Sequence, residues 1–193
     1  NLFPRTNHSD FNVADSPGHQ FLLRAGYFLQ VASGIFVLGP LAMRVLQKVE
    51  TIVREEMNAI GGLEVNLPIL QPSELWKKTS RWDRYIQDGI MFNLRDRRGQ
   101  RHGLAPTAEE LVTFYAQAGL DSHFQLPLNL WQMDWKFRDE LRPRMGLIRA
   151  RLFRMKDAYT FDVDAEGMRR SYEAHREAYT RMFTRMGLRF ISV

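Results

Sequence analysis

Leu41, Val45, Val49, Ile52, Val53 and Met57 recur mostly at steps of three and four. That step is one face of an α-helix. It predicts a helix from Pro40, a favourable first-turn residue, to about Gly61. The period then changes to two. Leu63, Val65, Leu67 and Ile69 alternate with Glu64, Asn66 and Pro68, which predicts a strand. Pro68 has no N–H for a ladder, so it marks an edge or an interface position. Residues 91–94 and 101–104 pattern as a hairpin around Arg97, Arg98 and Gly99. A helix over 108–118 follows, stopped by Gly119. A long strand is predicted over 129–140, then a loop rich in Arg and Pro, then a return strand over 147–159. The last helix covers 165–186. Its stripe of Met168, Tyr172, His175, Tyr179, Met182, Phe183 and Met186 reads as core packing. Residues 188–193 pattern as the start of a further strand, and an end there suggests a fragment.

The strand over 129–140 separates into two faces. Trp131, Met133, Trp135 and Phe137 point one way, and Gln132, Asp134, Lys136, Arg138 and Glu140 the other. The ordinary reading is a wet side. Here, however, the polar side ends in Arg138 and Glu140 beside an Arg-rich turn. On the return strand Arg149, Arg151, Phe153, Met155 and Asp157 share a face. Cations that hold phosphates, a ring that stacks on a base and a carboxylate that accepts from an exocyclic amine would make a nucleotide platform.

Composition narrows the class. Apolar residues are 45% and charged residues 25% of 193, the mix of a globular fold. No apolar run approaches the roughly 18 residues of a membrane helix. Residues 1–20 are polar and lack a signal-peptide pattern. There is no cysteine, hence no disulfide and no thiolate metal site, and a reducing compartment fits. The five histidines are scattered without zinc-like spacing. The net charge of +5 permits a polyanionic partner without requiring one. Arg138, Arg142, Arg144, Arg149, Arg151 and Arg154 fall in one segment. Taken by itself, such a run is more often a solvated basic face.

The string Phe137-Arg138-Asp139-Glu140, a loop, and Arg149-Ala150-Arg151-Leu152-Phe153 resembles motif 2 of class II aminoacyl-tRNA synthetases. The fuller run FRDELRPRMGLIRARLFRMKDAYTFD is similar to the bacterial and mitochondrial type of prolyl-tRNA synthetases. So are LLRAG at 22–26, ASGIF at 32–36, QPSELW at 71–76, Arg81-Trp82, PTAEE at 106–110 and QLPL at 125–128. The likeness runs from about residue 20 onward. It implies an α+β fold, the class II catalytic core, with an antiparallel sheet flanked by helices. Residues 1–193 would be a partial catalytic domain, incomplete at its C-terminal end. Motifs 1 and 2 would be present; motif 3, the editing insertion and the anticodon-binding domain would be absent.

The resemblance also implies roles. Arg138 would hold the ATP α-phosphate and lie near the proline carboxylate. Glu140 would read the adenine amine, Arg149 the γ-phosphate, and Phe153 would stack on adenine. Thr107 and Glu109 would grip the amino group of proline, and Asp157 would shape that pocket. Arg142 and Arg144 would reach the tRNA acceptor end, and Pro68 would sit in a homodimer interface. The residues alone read Thr107 through Glu110 as a capping box, with Thr107 as N-cap and Glu110 at the third helical position. The implied activity is proline–tRNA ligation using ATP, with Mg²⁺ carried by ATP and tRNA(Pro) as acceptor. It would take place in the cytoplasm or an organellar matrix, away from membranes, and this piece alone would be inactive. Two positions depart from the family pattern: Ala108 stands where His is usual, and Leu152 where Glu is usual. By alternation Leu152 faces away from Arg149 and Phe153. Rival readings are a catalytically silent paralogue, a threonyl- or seryl-type relative, and a plain basic nucleic-acid-binding domain.

Overall fold

The computed structural model describes Phe3, Thr6 and residues 16–192. The elements in order are α1 (Pro17–Arg24), β1 (Phe28–Ala32), β2 (Ile35–Leu38), α2 (Pro40–Ala59), β3 (Leu63–Glu64), β4 (Leu70–Pro72), α3 (Ser73–Lys78), α4 (Trp82–Gln87), β5 (Asn93–Arg95), β6 (Arg101–Leu104), α5 (Glu109–Gly119), β7 (Leu128–Phe137), β8 (Leu152–Phe161) and α6 (Ala165–Arg185). Three small sheets result: β1-β2, β4-β6-β5 and β3-β7-β8. The first two are antiparallel. The third departs from the antiparallel expectation in one pair, since β3 runs parallel to β7. The chain divides into two compact units. The first draws its described residues from Asn1–Leu46, Pro68–Thr107 and Trp135–Arg154, the second from Gln47–Leu67, Ala108–Asp134 and Met155–Val193.

In the first unit, the sheet β4-β6-β5 carries α3 and α4. Trp76, Trp82 and Met91 form its core. Trp76 is fully buried, and its indole N–H donates to Gln71 Oε1 at 2.9 Å. Gln71 is buried too, and its amide nitrogen donates to Pro68 O at 3.2 Å. Both ends of this polar side chain are therefore matched, as burial requires. The Arg81 guanidinium lies 5.3 Å from the Trp76 ring and 4.6 Å from that of Tyr85. The helix α1 was not expected from the pattern. Ser16 caps it by accepting from the His19 N–H at 3.3 Å, with Pro17 in its first turn.

In the second unit, Val53 and Met57 of α2, Trp131 of β7, and Ala178 and Met182 of α6 bury one another. Gly62 is required there, because a Cβ would stand 2.7 Å from Trp131 Cδ1 and 2.9 Å from Met57 O. Glu56 accepts from Arg181 at 2.6 Å and from Arg185 at 2.8 Å. These bonds hold its carboxyl below the usual range, Arg181 first and Arg185 second, against the effect of burial. A second cluster joins Leu67, Ala108, Val112 and Leu130.

The last helix keeps only part of its predicted stripe. Met182 is buried, but Met168, Tyr172 and Phe183 are exposed. The strand predicted over 63–69 shrinks to Leu63–Glu64. Val65 N–H still reaches Trp131 O, but Leu67 N–H goes to the Gln132 side chain at 3.0 Å instead of to a ladder. Pro68 is exposed and lies outside any strand. The outgoing strand ends at Phe137 rather than 140, and the return strand begins at Leu152 rather than 147. Arg144 and Arg149 pair across a tight turn, with Met145 and Gly146 at φ of 56° and 62°, before the ladder starts. Residues 188–192 form no strand. Gly187 at φ of 71° turns the chain, and Leu188 N–H returns to Phe183 O, which closes the helix end. Val193 lies outside the described residues.

Lys156 of β8 donates to the Tyr179 hydroxyl and sits 4.2 Å from that ring's centroid. Burial pushes the Lys156 ammonium down to about 8, partly opposed by the Asp157 charge, and pushes the Tyr179 phenol up. An unfolded lysine titrates near ~10.4, so between about pH 8 and 10 the unfolded chain holds a proton that the folded chain has released. Stability should therefore rise with pH across that window. Above it, the retained phenol proton of Tyr179 acts with the opposite sign. In Lys156→Met the rise should vanish, as read from urea midpoints at pH 7, 8 and 9.5.

Candidate nucleotide site

The polar face of β7 is not wet. Gln132 and Lys136 are each 1% exposed. A buried polar side chain needs partners, and Gln132 has them: it accepts from Leu67 N–H and donates to Asp157 Oδ2 at 3.0 Å.

From the last residue of β7 onward the backbone is pinned residue by residue within the first unit. Phe137 N–H donates to Ala105 O at 3.2 Å, Arg138 N–H to Arg151 O at 2.9 Å and Asp139 N–H to Ile90 O at 3.0 Å. This delivers Arg138 and Glu140 to the rim of a cleft of about 480 Å³. Its walls are the α4 end at residues 87–90, the segment 138–141, and Arg149 with Arg151. Arg138 donates to Pro106 O at 3.4 Å, and its guanidinium stands 5.3 Å from the Phe153 ring centroid. Phe153 therefore backs Arg138 and does not line the cleft.

Glu140 and Arg149 form an ion pair at 2.7 Å, with Glu140 only 18% exposed. The Arg149 hydrogen bond, then the Arg142 N–H, hold the Glu140 carboxyl below its usual value despite partial burial. An ionised carboxylate offers about four acceptor sites. Arg149 and the Arg142 N–H at 3.3 Å each take one, so capacity remains for an amine. Arg142 and Arg144 are exposed on the loop.

Four of the predicted residues, Arg138, Glu140, Arg149 and Phe153, thus lie together in one unit. The four expected around proline are divided, with Thr107 and Arg138 in the first unit and Glu109 and Asp157 in the second. The capping box is not formed as predicted. The helix α5 begins at Glu109 with Ala108 in the cap position, so Glu110 falls at its second residue. The register is set by the backbone: Ala108 N–H donates to the Tyr159 hydroxyl at 3.1 Å. That hydroxyl donates in turn to Asp157 Oδ2 at 2.7 Å. Ala108 itself is 1% exposed and packed in the second unit's core.

Alternation placed Arg151 among the cations of the nucleotide platform, but gave no role to residues 87–90 or to the Ser33-Gly34 turn. The string ASGIF carried the only signal for the turn. Among the described residues no group of three His, Cys, Asp or Glu could hold a metal ion. No described helix is long and apolar enough to cross a membrane.

The cleft thus lies at the mouth of β7 and β8, lined by Arg138 and Glu140 just past the first strand and by Arg149 in the turn into the second. The family model of the class II tRNA synthetase core domain (G, H, P, S and T) matches residues 92–193, and the chain belongs to that family. Among curated relatives it is 54% identical over 189 residues to a proline–tRNA ligase of Gloeothece citriformis, covering 97% of this chain and 32% of that one. It is also 54% identical over 178 residues to the proline–tRNA ligase of Trichormus variabilis, covering 92% and 30%. The chain thus spans about a third of the length of these relatives. Among solved structures, Giardia lamblia prolyl-tRNA synthetase in complex with prolyl-adenylate superposes with a TM-score of 0.72 at 22% identity, over 79% of this chain and 32% of that one. The Cryptosporidium parvum prolyl-tRNA synthetase complexed with L-proline and AMP also gives 0.72, at 15% identity, over 85% and 33%. At these identities the two structures establish the shared fold.

Proposed function

We propose that this chain carries the nucleotide-binding part of a proline–tRNA ligase. The convergence of Arg138, Glu140 and Arg149 on one cleft supports the reading, and so does 54% identity to proline–tRNA ligases across 97% of the chain. In the first step a proline carboxylate oxygen bonds to the ATP α-phosphorus. The bond to the bridging oxygen breaks, and pyrophosphate leaves with that electron pair. Arg138 neutralises charge at the α-phosphate, while Glu140 orients adenine through its amine and Arg149 faces the γ-phosphate. Positioning and electrostatics suffice, so no general base is needed. Mg²⁺ would be carried by the triphosphate, where it would offset charge on the phosphates. Thr107, Glu109 and Asp157 take the proline side of the site. A hydroxyl oxygen of the terminal ribose of tRNA(Pro) then bonds to the acyl carbon of prolyl-adenylate, the bond to the phosphate oxygen breaks, AMP leaves with that electron pair and the hydroxyl proton passes to solvent, with Arg142 and Arg144 on the acceptor end. The protein acts as a homodimer with exposed Pro68 at the contact, in the cytoplasm or an organellar matrix.

Proline-dependent exchange of pyrophosphate into ATP, measured on the natural full-length protein, tests the reading. Exchange with proline and with no other amino acid is expected. Tight ATP binding without any exchange would instead point to a silent paralogue.

A further inference from the structure

Arg151 lies between Arg149, a proposed nucleotide contact, and Phe153, which backs Arg138, yet two of its own donors are engaged elsewhere. Its Nε donates to Glu140 O at 3.0 Å, and Nη1 donates to Ser33 O at 3.5 Å. Its backbone N–H donates to Gly34 O at 2.9 Å, and its carbonyl accepts from Arg138 N–H at 2.9 Å. One residue thus ties the main chain of both rim residues to the turn between β1 and β2. The turn is seated without slack. Gly34 has a φ of 74°, and a Cβ there would stand 2.8 Å from Pro143 Cγ and 2.9 Å from Arg151 N. Only glycine meets both demands.

We propose that Arg151 and the Ser33-Gly34 turn form a brace that fixes where Arg138 and Glu140 stand, making Arg151 a positioning residue for ATP and not a phosphate ligand. The inference rests on the cleft binding ATP, as proposed above. A ligand arginine keeps its fork open toward the cleft, whereas here two of the guanidinium nitrogens are committed to carbonyls from separate segments. The brace explains why a turn more than a hundred residues away in sequence should matter to nucleotide binding.

The test is kinetic, by pyrophosphate exchange on the full-length protein carrying Arg151→Met, Arg151→Lys, Gly34→Ala, or Arg151→Met with Gly34→Ala. Misplacement of contacts predicts an ATP KM about tenfold higher in Arg151→Met with the proline KM within about twofold. Arg151→Lys should recover part of the loss, since one donor can still reach one carbonyl. Gly34→Ala should reproduce the ATP effect from outside the cleft, and the double variant should be no worse than the poorer single one, as for two ends of one strut. If Gly34→Ala fails to fold by circular dichroism, Pro143→Gly, which removes the wall the turn rests on, is read in its place. An unchanged ATP KM in Arg151→Met overturns the brace while leaving the ligase reading intact. So does a raised KM in Arg151→Met with none in the turn variant, which would make Arg151 a direct ligand. Absence of exchange in the unsubstituted protein overturns both.

Discussion

Arg138→Ala should lower proline-dependent pyrophosphate exchange by about 10²- to 10³-fold, or about 3–4 kcal/mol of transition-state stabilisation. The size follows from what the site asks of this one group. In the proposed reaction charge builds on the α-phosphate as two oxygens share phosphorus, and Arg138 is the rim cation placed to meet it. Folding should change by no more than about 1–2 kcal/mol, because its head group adds one bond to a carbonyl and one exposed contact with the Phe153 ring. That bond, to Pro106 O, is long at 3.4 Å, and the side chain is exposed. Arg138→Lys should restore little, since a point charge cannot reproduce a planar fork. Exchange rates and melting curves on the same preparations separate the two effects. Unaltered exchange in Arg138→Ala would remove the residue from the mechanism.

Trp76→Ala should be the most damaging single truncation to the first unit. The side chain is fully buried between Trp82, Met91 and the ring of Tyr85, whose centroid lies 5.2 Å away. Emptying such a site costs about 3–5 kcal/mol. It also leaves buried Gln71 without the donor that meets its Oε1, adding about 1 kcal/mol or more. Trp76→Phe should cost clearly less than the alanine variant, because most of the volume is kept although the indole donor is lost. Urea midpoints and slopes for the three proteins decide this. Equal losses in both variants would mean that the hydrogen bond, not the volume, holds the site.

Much of the architecture was legible where one period dominated. The α2 stripe of Val49, Ile52, Val53 and Met57 is the face that packs on Trp131. The hairpin at 93–104 followed from its glycine turn. Legibility failed where tertiary partners overrode local pattern. Gln132 and Lys136 alternate as a solvated face would, but they are buried, and only long-range partners such as Leu67 N–H reveal why. The Thr107 capping box lost its register to a tyrosine 51 residues beyond Ala108. The hairpin of β1 and β2 was hidden because its exposed Leu29, Val31 and Val37 blur the alternation. At the site, charge and alternation put Arg138 and Glu140 on one strand face and Arg149, Arg151 and Phe153 on the other, while their separate roles were implied by the family resemblance. The bracing part proposed for Arg151 was not legible there, since it lies in whose carbonyls the side chain reaches.

The bonds around Asp157 have a direction. Leu67 N–H points to Gln132, Gln132 to Asp157, Ala108 N–H to Tyr159, and Tyr159 to Asp157. Every proton along both arms leans toward the same carboxylate oxygen, so each dipole polarises the next. The orientation of the Gln132 carboxamide and the rotor of the Tyr159 hydroxyl are thereby settled by a single anion at the hub. Two loop amides, one before Pro68 and one at the mouth of α5, answer to that anion. Taking that carboxylate away, as in Asp157→Ala, would slacken both arms at once.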